Sequence, residues 1–132
     1  MLSRRSVLHR SPFEAKPPEP GSRRWLVAEL DGLVSIIVRR RDRRCVTCGA
    51  SRNLQCSHFH SRRYLRTRFS LLNCHAMCAS CNRRHNEEPE PYLRFMRERY
   101  GEEALAELER LRGAGDKVTD EELFQTLERL RG

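Results

Sequence analysis

The sequence has 132 residues, a formal net charge of +8 and a hydrophobic fraction of 38%, which together predict one domain with tails and a modest core. Nearly all of the basic side chains are arginine, since Lys16 and Lys117 are the only lysines. This charge predicts a polyanionic partner such as nucleic acid, with a merely solubilising surface as the alternative. The sequence has no apolar run long enough to cross a membrane and no secretory signal at its N-terminus, so we expect a cytoplasmic protein with no membrane partner.

The N-terminal half of the chain predicts a tail followed by one helix. Residues 1–22 are basic and proline-rich and predict a disordered tail. A helix is predicted to begin after the N-cap Ser22 and to run to about Asp42, because apolar residues recur there at helical spacing. The β-branched run at 35–38 leaves a strand as the alternative near its end. The basic run at 39–44 is consistent with a solvated surface or with phosphate contacts.

The middle of the chain holds all six cysteines and four of the five histidines, between Cys45 and Asn86. Residues 53–60 alternate in polarity and predict one strand of a short hairpin. Residues 61–73 predict an irregular, arginine-rich loop. Residues 74–88 contain a second cysteine pair and then turn helical.

The C-terminal part of the chain predicts helices. One begins near Pro91 and stops at Gly101, and an amphipathic helix follows over residues 102–112. A capping box from Thr119 to Glu122 opens the last helix. The C-terminal helices are acidic, and they could form a homodimer interface or bind another protein.

Two Cys-x-x-Cys pairs predict a structural zinc site. Four thiolates complete a tetrahedron and leave no open position, so this zinc would hold the fold and perform no chemistry. Cys56 and Cys74 are expected to be free buried cysteines, although Cys74 could replace Cys78 as a ligand. The predicted ligands are Cys45, Cys48, Cys78 and Cys81.

A histidine on the predicted strand and an Asn/His pair on the following helix suggest a second metal site. These residues are His58, Asn82 and His85. A metal there would neutralise a scissile phosphate while an imidazole takes a proton from water, as a one-metal nuclease requires. The alternative is a structural zinc ribbon that binds DNA without cutting it.

Four stretches of the sequence resemble a known family. They are RRRDRRCVTCG, SHFHSR, RFSLLNCHAMCASCN and PYLRFMRERYGEEALAELE. They are similar to the phage NinG/Rap recombination proteins, a branch of the HNH-type (ββα-metal) endonucleases. The resemblance covers about residues 33–109 and leaves the tails, 1–22 and 113–132, outside.

This resemblance implies an α+β fold: a small zinc-stapled ββα-metal core with a leading helix and trailing C-terminal helices. The nuclease domain would span residues 23–112, followed by a linker and helix at 113–132. The implied activity is Mg²⁺- or Mn²⁺-dependent cleavage of branched recombination intermediates, such as D-loops and Holliday junctions. The protein would act in the bacterial host of a phage or prophage.

The resemblance also implies individual roles. His58 matches the general base, Asn73 matches the residue that fixes the loop so that the base is aimed, and Asn82 matches a metal ligand. A metal role for His85 is a local inference from its position. His60 has no family counterpart, and His75 is expected to pack or to contact phosphate.

One position departs from the HNH pattern. Many of these enzymes place an Asp directly before the base, where this chain has Ser57. No acidic residue falls between Arg43 and Asn86, although Mg²⁺ prefers carboxylate oxygens, and His85 would favour a transition metal. Oxygen ligands would come from substrate phosphate, a backbone carbonyl, Asn82, Asp42, Glu87 or Glu88.

Six arginines near the predicted metal site are candidates for phosphate contacts. Nothing in their pattern indicates base-specific reading, so we expect recognition by shape and charge, with steep salt dependence. They are Arg62, Arg63, Arg66, Arg68, Arg83 and Arg84.

Overall fold

The computed structural model describes residues 17–115 and 117–132; most of the tail predicted for 1–22 therefore lies outside the described residues. Within them the fold is α+β, as predicted. The elements are α1 (Arg23–Asp42), β1 (Leu54–His58), α2 (Leu65–Arg68), β2 (Cys74–Cys78), α3 (Ala79–Arg84), α4 (Glu90–Arg112) and α5 (Asp120–Arg131). Among the described helices, none combines the length and the apolar character that crossing a membrane requires.

The leading helix α1 begins where the sequence predicts. The Ser22 hydroxyl caps it by accepting from the Trp25 amide at 3.2 Å. The strand alternative at 35–38 is wrong, because Val34 and Val38 continue the buried helical stripe that starts at Leu26. The helix stops where Arg43 takes a left-handed conformation, with φ of 66°.

Strands β1 and β2 form a two-stranded antiparallel sheet, in which Leu54 pairs with Cys78 and His58 pairs with Cys74. Side chains alternate between its two faces. The face that carries Cys56, Cys74 and Ala76 packs in one cluster with α1 and α5. The other face packs against α4, through Met77 and His75. Helix α3 follows β2 directly, so both strands and α3 converge on one edge.

The C-terminal helices follow the sequence prediction closely. Gly101 interrupts α4 with φ of 85° and ψ of 170°, so the two predicted helical segments meet there. The capping box of α5 is present, with Thr119 and Glu122 each accepting from the other's backbone amide. Leu123 and Leu127 of α5 are buried against α1, which makes this helix part of the core.

The loop over residues 61–73 is more ordered than the sequence indicates. It contains the short helix α2, in which the fully buried Thr67 donates its hydroxyl to the Tyr64 carbonyl. Phe69 then enters the core beside Cys74. The expectation of an irregular loop is wrong because this tertiary burial is not visible in local sequence pattern.

Asp42 ties the end of α1 to β2 and is therefore not available to a metal. Its carboxylate, whose side chain is 4% exposed, accepts from Arg41 and from the Ala76 amide at 2.9 Å. Arg41 in turn donates to the carbonyls of Leu71 and Cys74. Burial alone would raise the pKa of Asp42, but these donors lower it below its ordinary value.

Candidate metal centre and nucleic-acid groove

The four predicted zinc ligands come together at the end of the sheet. The first pair lies on a tight turn, where Gly49 has φ of 80° and donates to the Cys45 carbonyl at 2.8 Å. The second pair lies at the junction of β2 and α3, where the Cys78 sulfur caps the helix by accepting from the Cys81 amide. The four sulfur atoms all lie within 4.8 Å of one another.

This cluster fits a tetrahedral zinc ion. Sulfurs bound to zinc at about 2.3 Å lie about 3.8 Å apart, and the Cys48 and Cys78 sulfurs are 3.7 Å apart. Although burial opposes it, hydrogen bonds from Thr47 and backbone amides lower the pKa of Cys45 to about 6. Against a hydrogen bond from Thr47, burial and the neighbouring thiols raise the pKa of Cys81 to about 12, so Cys45 ionises before Cys81. Cys74 lies at the other end of β2 and does not belong to the cluster.

A groove of about 750 Å³ lies beside this metal centre and brings together the predicted catalytic side chains. Strand β1 contributes His58, and Asn82 and His85 come from α3 and its C-terminal end. No carboxylate of the described chain lines it. The other polar side chains that line the groove are His60, Ser61, Arg62, Tyr64, Arg83, Asn86 and Arg112.

His58 is oriented by a backbone carbonyl. Its Nε2 lies 3.0 Å from the Arg68 oxygen, and because a carbonyl only accepts, Nε2 carries the proton and Nδ1 carries the lone pair. Burial lowers the pKa of His58 below its ordinary value, and the charge of Arg62 adds to this, against the opposing hydrogen bond. The neutral imidazole is therefore the favoured form near neutral pH, as a general base requires.

Asn73 locks the backbone that follows His58. Its side chain is fully buried, and its amide oxygen accepts from the His60 N–H at 2.8 Å while its Nδ2 donates to the His60 carbonyl at 3.1 Å. The Phe59 amide donates to the Asn73 carbonyl at 2.8 Å. These three bonds fix the end of β1 and match the loop-fixing role that the resemblance implies.

The two residues predicted to bind a second metal are held by β1 and by the residue that follows it. Asn82 donates its amide to the Gln55 side chain at 2.8 Å. The His85 Nε2 donates to the Phe59 carbonyl at 3.2 Å, which leaves the lone pair on Nδ1. That Nδ1 is buried and has no hydrogen-bond partner within the described chain, so it is free to bind a ligand.

His60 is a groove residue to which the sequence assigned no role. Its Nε2 is buried and, like Nδ1 of His85, lacks a partner among the described residues, and both rings contact Phe59. A buried unsatisfied nitrogen costs about 1–3 kcal/mol, which a bound water or metal would recover. The H-x-H spacing of His58 and His60 is the sequence signal that could have identified His60 as a site residue. Arg112 also lines the groove, but no sequence pattern around it indicates this.

Ser57 and His75 lie away from the groove. Ser57 is 1% exposed on the α4 side of the sheet, so the position of the usual HNH Asp is closed to a metal in this fold. The Tyr92 hydroxyl donates to the Ser57 carbonyl and accepts from the His75 Nδ1, and Nε2 accepts from Tyr100 at 2.7 Å. Burial lowers the pKa of His75 to about 4. His75 therefore packs, and its burial rules out a phosphate contact.

The six predicted phosphate-binding arginines divide into two groups. Arg62 and Arg83 line the groove, and Arg63 and Arg84 lie on nearby surface, Arg63 over the Tyr64 ring and Arg84 bonded to Ser80. Arg66 and Arg68, whose side chains are 32% and 19% exposed, are held in ion pairs instead, and Arg62 also pairs with Asp31 at 3.1 Å. Arg68 pairs with Asp31 at 2.6 Å, and Arg66 pairs with Glu122 and donates to the Lys117 carbonyl. Their role in DNA binding stays a prediction.

One family model matches most of the chain. The model of the NinG family, described as the bacteriophage lambda NinG protein, matches residues 19–132. The chain belongs to the NinG family. The match includes the C-terminal helix, which the resemblance in the sequence left outside, and it agrees with the packing of α5 on α1. Comparisons with curated proteins and with solved structures give no match to this NinG-family chain.

Proposed function

We propose that this NinG-family protein is a metal-dependent DNA endonuclease of the HNH type that acts on branched recombination intermediates in phage biology. Membership of the NinG family supports a recombination role. The observation that carries the catalytic proposal is that His58, Asn82 and His85 line one groove together with basic side chains. A base, metal ligands and cations in one groove form the minimal set for phosphodiester hydrolysis.

In this proposal each side chain has a defined task. The His58 Nδ1 accepts a proton from the attacking water, because its Nε2–H is held by Arg68. Asn73 keeps that imidazole aimed by fixing the backbone after it. Asn82 and His85 would hold a divalent ion, which neutralises the scissile phosphate and the leaving oxygen.

The donor set favours a first-row transition metal over Mg²⁺. The groove offers imidazole nitrogens and an amide, with His60 as a further free nitrogen, and no carboxylate within the described chain. Mg²⁺ prefers oxygen ligands, whereas imidazole suits first-row transition metals. We therefore propose Mn²⁺ as the better cofactor of cleavage and Mg²⁺ as the weaker one, with the four-cysteine centre holding a structural zinc ion.

DNA would be bound through its backbone. Arg62, Arg83 and Arg112 line the groove, and Arg63 stacks on Tyr64 at 5.5 Å beside it. Such contacts position phosphates without reading bases, which suits recognition of a branched shape. A homodimer through the C-terminal helices would bring two such grooves to one junction, and Phe124 of α5 is exposed enough, at 46%, to contribute.

The second candidate function is a zinc-ribbon protein that binds DNA without cleaving it. The burial of Ser57 and the lack of a groove carboxylate favour it, because most one-metal sites for Mg²⁺ use at least one acid. The two functions differ in whether the groove supports turnover.

A panel of DNA substrates separates these functions. We expect the protein to cut four-way junctions, D-loops and flaps in Mn²⁺ at least tenfold faster than linear duplex, because a shape-selective groove is filled only at a branch. The measurement is strand cleavage on denaturing gels at fixed salt, with binding measured in parallel. Tight branch-selective binding with no cleavage in Mn²⁺ or Mg²⁺ would leave only the binding protein.

The pH dependence of cleavage should report His58. Its lowered pKa keeps the base neutral below the ordinary histidine value of about 6.5, so activity should persist on the acid side and fall with a midpoint below 6.5. Arg62→Gln removes a nearby positive charge and should move that midpoint upward. The measurement is kcat/KM from pH 5 to 8, and a midpoint at or above 6.5 in the wild type would contradict this assignment.

A further inference from the structure

A second cluster of metal-binding side chains lies on the face of the sheet that meets α1. Cys56 and His58 are two residues apart on β1, and Cys74 is the cross-strand partner of His58, so all three side chains share one face. Each offers one ligand atom, and these atoms all lie within 4.8 Å of one another. None of the three belongs to the four-cysteine centre.

We propose that Cys56, His58 and Cys74 form a second site for a thiophilic metal ion such as Zn²⁺. Two sulfurs and one imidazole are a donor set that zinc takes when it keeps a fourth position for water. Two thiolates also balance the charge of a divalent ion, so the site would bury no net charge. Mg²⁺ would be rejected because neither sulfur is a ligand that it accepts.

The local hydrogen bonds fit this role. The Arg68 carbonyl holds the Nε2–H of His58 at 3.0 Å, and metal-bound histidines commonly donate their other ring N–H to such a carbonyl. The Cys74 thiol donates to the same oxygen at 3.4 Å, a weak bond whose proton the metal would displace. Cys74 is fully buried and closes the back of the site.

The front of the site is open to the groove. Cys56 and His58 line the 750 Å³ groove and also a cavity of about 340 Å³ that contains Asp31 and Arg62. A metal ion can therefore enter, and a water can occupy the fourth position. The cluster therefore adjoins the groove in which we propose that cleavage occurs.

Metal binding at this site would have a consequence that rests on the proposed nuclease function. His58 has one lone pair, on Nδ1, and it can accept a proton from water or bind a metal but not both. Zinc in the second site would therefore switch off the general base. Excess zinc becomes an inhibitor of cleavage that acts through Cys56 and Cys74.

Cobalt substitution tests the site without any activity measurement. Thiolate-to-cobalt charge transfer counts metal-bound sulfurs, so wild type with six bound thiolates should lose about one third of this absorption in Cys56→Ala/Cys74→Ala. The double variant should also bind one zinc fewer per chain. Because Cys74 is buried, Cys56→Ala alone provides a second variant that changes a half-buried position. Gln125→Ala, an exposed position on α5 that lies outside both clusters, should match the wild type.

A separate cleavage measurement tests the predicted inhibition by zinc. Zinc added in one-equivalent excess over the structural ion should inhibit wild type at least tenfold in Mn²⁺, and Cys56→Ala much less. Equal charge-transfer absorption and equal zinc content in wild type and both cysteine variants would overturn the site, whatever the activity. If the double variant loses one third of the cobalt absorption but the wild type never cleaves DNA, the second metal site is supported and only the nuclease proposal is wrong.

Discussion

Cys81→Ser is expected to unfold the domain and release its structural zinc. The cluster of four sulfurs joins the turn after α1 to the junction of β2 and α3, and Cys45 and Met77 in the adjoining core are buried around it. A structural zinc contributes about 10–16 kcal/mol of apparent binding energy in small domains, which is as large as the whole stability of a typical domain. Circular dichroism and zinc content by mass spectrometry measure both effects.

The matched control for this prediction is Cys56→Ala, which removes a half-buried cysteine outside the four-cysteine cluster. It should stay folded and keep the structural zinc. Chelation of zinc from the wild type should reproduce the unfolding of Cys81→Ser. A chelated or Cys81→Ser protein that keeps its helical signal and a cooperative melt would show that the four cysteines do not hold the fold.

His58→Ala is expected to lower the cleavage rate by about 10²–10⁴-fold, the range that a lost general base produces. The loss should appear in the single-turnover rate and much less in DNA binding, because the arginines that line the groove remain. Occupancy of the structural zinc and the melting temperature should stay close to those of the wild type, since His58 is not a ligand of the four-cysteine centre.

His58→Gln sharpens this test. Glutamine keeps an N–H that can reach the Arg68 carbonyl, where His58 donates now, but it offers no basic nitrogen. We expect it to be as inactive as His58→Ala while preserving the local backbone. Wild-type rates in both variants would place the base elsewhere in the groove, for example at His60 or His85, whose buried nitrogens lack partners within the described chain.

The structural parts of this protein that could be predicted from its sequence are local in the chain. The spacing of the two Cys-x-x-Cys pairs is enough to indicate a metal site, because each pair lies on a short turn formed by neighbouring residues. The caps at Ser22 and Thr119 and the break at Gly101 are equally local. Local patterns therefore predicted the start of α1, the start of α5, the break in α4 and the four cysteines of the candidate metal centre.

The contacts that define the groove depend on distant segments. Arg68 is withdrawn from the surface by Asp31, thirty-seven residues earlier, and Asp42 is withdrawn from any metal by the Ala76 amide. The burial of Ser57 follows from Tyr92 on α4. No spacing rule encodes these pairings, because they arise only when α1 and α4 pack on opposite faces of the sheet.

Cleavage of a four-way DNA junction under single-turnover conditions tests the central claim most directly. With structural zinc in place and Mn²⁺ added, wild type should cut strands near the branch point, while His58→Ala binds the same junction without cutting it. Chelation of the Mn²⁺ should stop the reaction. A wild-type protein that carries one zinc ion per chain, in its four-cysteine centre, and that binds the junction but leaves every strand intact in Mn²⁺ and in Mg²⁺ would contradict the account.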